Sequence, residues 1–259
     1  MTKVIGVISV KGGVGKTTVV VNLANVLANV CKQRVLVVDA NFSAPNLRLY
    51  LGLEEPKKGI HEVLQGSADL NEAIYNTSYG FHILPARLNN KCPTKVSSLG
   101  NFIDELREYY DFILIDSSPN VNAEILATVK ASDDLFMVVN PDYATLSCTL
   151  CAIKIAKENR VPIEGIIVNK VYGNKNEVSF KDIEEITDSK IIAIIPHHLD
   201  IHESVLKRIP LKFNKRKEYS REYSELAKFM ILCKNPSEKV KLKRSLVKTI
   251  SQKNRLKIL

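Results

Sequence analysis

Apolar residues come along this chain in short unbroken runs, and most runs are followed by a stretch where they recur every three or four positions. KVIGVIS at 3–9 is such a run. It lacks the alternation of a half-exposed strand and fits one buried on both faces. KTTVVVNLANVLANV at 16–30 follows it with helical spacing. RVLVVDA, DFILIDS, DLFMVVN, IEGIIVNK and KIIAIIP repeat the strand signal, and FHILPA gives a weaker one. KVSSLGNFIDELREY, NAEILATVKA, YATLSCTLCAIKIAKENR, SFKDIEEITD and EYSREYSELAKFMIL read as the intervening helices, and 43–78 as loop and short helix. About seven strands alternating with helices predict an α/β fold, a doubly wound, mainly parallel sheet with helices on both faces. KNPSE at 234–238 is the clear linker. It divides a body, 1–233, from a tail, 234–259.

The first strand-to-helix junction carries the chemistry. Between VIGVIS and the helix, Gly12, Gly13 and Gly15 free the backbone to curl around an anion. Successive N–H groups, those of Val14 and Thr18 among them, then turn inward, and the helix N-terminus adds its positive dipole end. Lys16 is placed to reach the β- and γ-phosphates of a nucleotide and Thr17 to ligate Mg²⁺. The usual first glycine of such a loop falls at Val10, so the match is instead K-G-G-x-G-K-T-T. Asp116 closes the run FILID, and Asp39 closes the neighbouring LVVD. A carboxylate at the C-terminal edge of a strand beside a phosphate loop points to a cation site; the plainer alternative is a helix cap or turn residue.

The octapeptide KGGVGKTT resembles the deviant Walker A loop of the MinD and ParA group of P-loop ATPases. VLVVDANFSAPNLRLYLGL, FILIDSSPNVNAEILATVKASDDLFMVVNPD, GIIVNKV and AIIPHHLDIHESVLKRIPL extend the resemblance over most of 1–233. A first strand starting at residue 3 is more similar to MinD-like members than to ParA proteins with an added N-terminal segment. The resemblance implies ATP and Mg²⁺ as ligands and hydrolysis of ATP to ADP and phosphate. It implies a homodimer formed with ATP, in which Lys11 crosses to the partner's phosphates. A cation delivered by dimerisation offsets phosphate charge as an arginine finger does. It also implies that Asp116 and Asp39 share the Mg²⁺ shell, that Asn169 reads adenine, and that Pro196 is among the nucleotide-binding residues. The family usually has Asp-x-Asp after its second strand, and here the motif is Asp39-Ala40-Asn41. Asn41 can hydrogen-bond the attacking water but cannot take its proton. Nucleotide binding is expected intact and hydrolysis slow, with Ser117 and Asn120 as substitutes for the water-holding role.

Charge changes the picture at one end. The net charge is +9, yet 1–238 holds 29 basic against 28 acidic residues, so 239–259, with eight Lys or Arg and no acid, supplies the asymmetry. In VKLKRSLVKTISQKNRLKIL, Leu242, Leu246 and Ile250 share one helical side, with Lys241, Arg244, Lys248 and Arg255 on another. MinD-like proteins often end in an amphipathic helix that docks on anionic lipid, so 237–259 is expected to meet an anionic membrane surface. Each basic residue there contributes about 1 kcal/mol. DNA is the alternative, supported by LKRIPLKFNKRK at 206–217. A solvated tail and a partner-protein helix complete the readings.

Five cysteines without a framework argue against a disulfide scaffold. Cys148 and Cys151 form a single C-x-x-C, read as small buried residues, or less readily as half of a metal-cluster site shared by two chains. MTKVIGVISV has no leader pattern and no run reaches the roughly 18 apolar residues of a membrane span. The expectation is a cytoplasmic ATPase, peripheral at the inner face of the cell membrane. It positions a cell structure such as the division site and answers to an unidentified activating or cargo protein. A DNA-partition ATPase and a metal-cluster carrier are the rivals.

Overall fold

The computed structural model of the protein describes residues 2–88 and 95–234. Its centre is a sheet of eight strands in the order β3-β4-β2-β5-β1-β6-β7-β8. Strands β1 (Lys3–Ile8), β2 (Val35–Ala40), β5 (Phe112–Ser117) and β6 (Asp134–Val139) form the middle, and β7 (Ile163–Val171) and β8 (Ile191–Pro196) extend one side. β4 (His82–Leu84) extends the other, and β3 (Tyr75–Asn76) closes that edge. All pairings are parallel except β3 with β4. The unbroken apolar runs are explained by burial on both faces: β2, β5 and β6 are buried at every position. β3 adds one strand to the expected seven; two residues are too short to leave a periodic signal.

The residues of each strand alternate between two layers. Ile5, Val7, Val37 and Leu114 point toward α1 (Lys16–Asn29) and α10 (Glu218–Cys233). On the opposite face Leu36, Val38 and Ile113 meet α5 (Leu99–Leu106), which a 3₁₀ turn at Val96–Ser98 precedes. Leu135, Met137 and Val168 cover α7 (Tyr143–Glu158) and α8 (Phe180–Thr187), while α6 (Ala123–Ala131) contributes to both of these clusters. The 43–78 region holds three short helices, Leu47–Tyr50 (α2), Ile60–Gln65 (α3) and Leu70–Ala73 (α4). The segment after β8 contains α9 (Leu199–Leu206), a helix not among those read from the sequence. His198 caps α9 by accepting the Asp200 N–H at 3.0 Å, a histidine cap outside the usual Ser/Thr/Asp/Asn signal.

Cys148 and Cys151 lie on α7, one half-buried and one exposed, so they are not the small core residues expected. Among the described residues no cluster of three or more His, Cys, Asp or Glu is suited to a metal ion. Cys92 and the tail segment 237–259 lie outside the described residues. Lys234 lies against the body, its Nζ 4.2 Å from the Phe112 ring centre and 3.9 Å from Asp111 Oδ1. Among the described residues no helix is long and apolar enough to cross a membrane.

Candidate functional site

Because β1 lies between β5 and β6, the loop after it opens at the C-terminal edge of the sheet, where the strand order reverses. A cavity of about 310 Å³ sits there. The loop, α2, the end of β5, the end of β7 and α9 line it. Gly15 is the N-cap of α1 with φ 99°, a left-handed backbone that favours glycine. It has no room for more: a Cβ there would come within 2.3 Å of Asn169 Nδ2. That amide donates to the Val14 carbonyl at 2.8 Å, and Lys170 Nζ donates to the Gly13 carbonyl at 2.7 Å. The end of β7 therefore braces the glycine loop from behind.

Of the sequence-predicted residues, Gly12, Gly13, Gly15, Lys16, Thr17, Thr18, Asn41, Ser117, Asn169 and Pro196 line the cavity. Val14 is buried below it, and Asn120 is exposed outside its lining. Lys16 folds back so that Nζ donates to the Ser9 carbonyl at 3.3 Å. Burial lowers its pKa, and the Asp116 carboxylate opposes that.

Asp39 and Asp116 lie under the floor of the cavity, both buried, and are register partners across β2 and β5. Thr17 Oγ1 donates to Asp116 Oδ2 at 2.6 Å, while Asp116 Oδ1 is buried with no hydrogen-bond partner among the described residues. Asp39 accepts the backbone N–H groups of Asn41 and Leu47, both at 3.1 Å, and so ties β2 to α2. Burial raises both carboxyl pKa values; the charge of Asp116 raises that of Asp39 further, while Thr17 and Lys16 pull Asp116 back. Two buried carboxylates, a hydroxyl and one unsatisfied oxygen are the donor chemistry of a hard cation such as Mg²⁺, so the residues fit that ion.

Lys11 stands apart. It does not line the cavity, is exposed enough to move, and pairs with Asp142 at 3.4 Å. Asn41 Nδ2 donates to the Ala44 carbonyl at 2.5 Å, which leaves Oδ1 as the atom able to hold a water. Ser43 donates from both its N–H (2.9 Å) and its hydroxyl to Glu124 Oε1, linking the loop after β2 to α6.

The sequence reading missed Asn46, Tyr50, Tyr172, His197 and His202, all lining the cavity. Asn46 Oδ1 is 3.2 Å from Thr17 Oγ1. Nothing in its local pattern marks it, because only the Asp39-anchored turn brings it back over the loop.

A model of the CobQ/CobB/MinD/ParA nucleotide-binding domain matches residues 5–211. An uncharacterized ATP-binding protein of Methanocaldococcus jannaschii is 33% identical over 213 residues, 82% of this chain and 80% of that one. The septum site-determining protein MinD of Synechocystis is 27% identical over 221 residues, 82% of each. The structure of the septum site-determining protein MinD of Pyrococcus horikoshii, complexed with Mg-ADP, superposes with a TM-score of 0.81 at 30% identity. That superposition covers 88% of this chain and 95% of the other.

Proposed function

The chain belongs to the CobQ/CobB/MinD/ParA nucleotide-binding family, and on that footing we infer that it is an ATPase switching between a monomer and an ATP-bound homodimer. ATP and Mg²⁺ are its ligands. The observation that carries this reading is the pairing of Thr17 with a buried Asp116 directly beneath a glycine loop and Lys16. Asn169 and Pro196, which line the same cavity, hold the base.

The protein's groups divide the work. The N–H groups of the loop and Lys16 bind the phosphates. Thr17 and Asp116, with Asp39 beside them, would hold Mg²⁺, which offsets charge on the β- and γ-phosphates. Lys11 leaves Asp142 and crosses to the partner's phosphates. An exposed ion pair of this kind contributes about 0–1 kcal/mol, so release costs little. Asn41 orients the water from its Oδ1 but takes no proton. Positioning matters more than base strength in a loose phosphoryl-transfer transition state, so turnover is slow rather than absent.

The basic segment 237–259 brings the dimer to an anionic membrane surface, and doubling the segments raises avidity. The task is spatial: positioning a cell structure such as the division site, with a cargo or activating protein as partner. The M. jannaschii relative named for ATP binding and the relatives named as septum site-determining support this reading. DNA partition is the second reading, supported by exposed Lys207, Arg208, Lys212, Lys215 and Arg216 in the 206–217 segment. Co-sedimentation with anionic vesicles, with DNA as competitor, tests both. Pelleting in ATP but not ADP, unaffected by DNA, is expected. Equal pelleting in both nucleotides contradicts the membrane switch, and ATP-dependent binding to DNA alone favours the second reading.

A further inference from the structure

β7 does not end as a regular strand. Its pairing with β8 shifts register between Val168 and Val171, and Lys170 between them has φ 57°, unusual for a non-glycine residue. Such backbone irregularities re-aim side chains at the edge of a site. Beyond the shift, the His197 N–H donates to the Val171 carbonyl at 2.9 Å, which sets Tyr172 beside His197. The two rings stack with centroids 4.3 Å apart and planes 16° from parallel. The turn under Tyr172 is held by one carboxylate. Glu177 accepts the N–H groups of Tyr172 at 2.7 Å, Gly173 at 3.0 Å and Asn174 at 3.2 Å.

The outcome is an aromatic ring that is 68% exposed and lines the cavity that Asn169 and Pro196 also line. An aromatic surface anchored by three backbone hydrogen bonds, backed by a second ring and left open toward a cavity suits a flat π-system. We propose that Tyr172, backed by His197, is the stacking platform for the nucleobase. The proposal rests on the nucleotide reading above and adds to it the residue whose π-face carries the base. Tripolyphosphate has no base, so its affinity reports on the glycine loop and Lys16 and serves as the control.

The chain has no tryptophan, so Tyr172→Trp introduces a single reporter. Calorimetry on the full chain with Mg²⁺ and ATP, ADP or inorganic tripolyphosphate, for the native protein, Tyr172→Ala and Tyr172→Phe, gives the affinities. Tyr172→Ala is expected to weaken ATP and ADP about tenfold, within the usual range for base–aromatic stacking, while tripolyphosphate affinity stays put. Tyr172→Phe keeps native affinity. Tyr172→Trp fluorescence is quenched by ATP and ADP but not by tripolyphosphate, at protein concentrations where only monomer is present. Native ATP affinity in Tyr172→Ala, or quenching that appears only when dimers form, overturns the platform while leaving the nucleotide reading in place. A native protein that binds neither ATP nor tripolyphosphate overturns the nucleotide reading itself.

Discussion

Lys11 Nζ lies 3.4 Å from Asp142 Oδ1, outside the cavity that Lys16 lines, so two lysines five positions apart in one loop face different surroundings. Asp142 is already committed as the N-cap of α7, accepting the N–H and the hydroxyl of Thr145, each at 2.7 Å. It therefore holds Lys11 with a carboxylate whose position does not depend on the lysine. Lys11→Ala is expected to bind ATP within about twofold of native and to remain monomeric in ATP by light scattering, because an exposed ion pair contributes little to the fold. A Lys11→Ala protein that dimerises normally excludes the crossing role.

Asn41 donates to the Ala44 carbonyl. A carboxylate cannot make that bond and is pushed away from the carbonyl toward the cavity. Asn41→Asp therefore supplies both a free oxygen and a proton acceptor, and phosphate release is expected to rise at least about tenfold, a modest share of what a positioned base contributes. A rate no higher than native places the water on another residue, with Ser117 the first to test since it lines the same cavity.

Asp133 is a structural carboxylate remote from the loop. It accepts the Val4 N–H at 2.8 Å and the Arg107 guanidinium at 2.9 and 3.0 Å. Burial alone raises its pKa, but the hydrogen bonds from Arg107 and Val4, together with the charges of Arg107 and Lys3, outweigh burial and hold it below the usual carboxylate value. Lys3 adds attraction, and Arg107 also pairs with Asp104 at 2.7 Å. A depressed folded pKa gives stability that is complete above the unfolded value near 4 and is lost as pH falls through the folded one. Asp133→Asn is expected to lower unfolding stability by about 1.5–3 kcal/mol at pH 7, the range for hydrogen bonds to a charged group. Urea titrations should show the gap from native closing below about pH 4. A gap of the same size at pH 3 contradicts the pairing.

Because Cys233 is buried and Lys234 packs on Phe112, a truncation that removes only the tail must end after Lys234, one residue beyond the boundary read from the sequence. That truncation is expected to abolish pelleting with anionic vesicles while ATP affinity and thermal midpoint stay at native values. Continued pelleting moves the membrane contact to 206–217.

The middle of the sheet was legible because β1, β2, β5 and β6 are buried on both faces, which leaves continuous apolar runs in the sequence. The loop was legible because its glycines, lysines and threonines are consecutive. Tyr172 and His197 are 25 positions apart and meet only through a register shift between β7 and β8, which no local period encodes. Asn46 likewise reaches Thr17 through a turn that Asp39 anchors. β3 and α9 were missed for a related reason: one is two residues long, and the other starts on a histidine cap.

The nucleotide switch is tested most directly by sedimentation velocity of the full chain with Mg²⁺ and either ATP or ADP, beside Lys16→Ala. The native protein is expected to sediment as a dimer in ATP and as a monomer in ADP, and Lys16→Ala as a monomer in both. The same sedimentation coefficient for the native protein in ATP and ADP contradicts the switch.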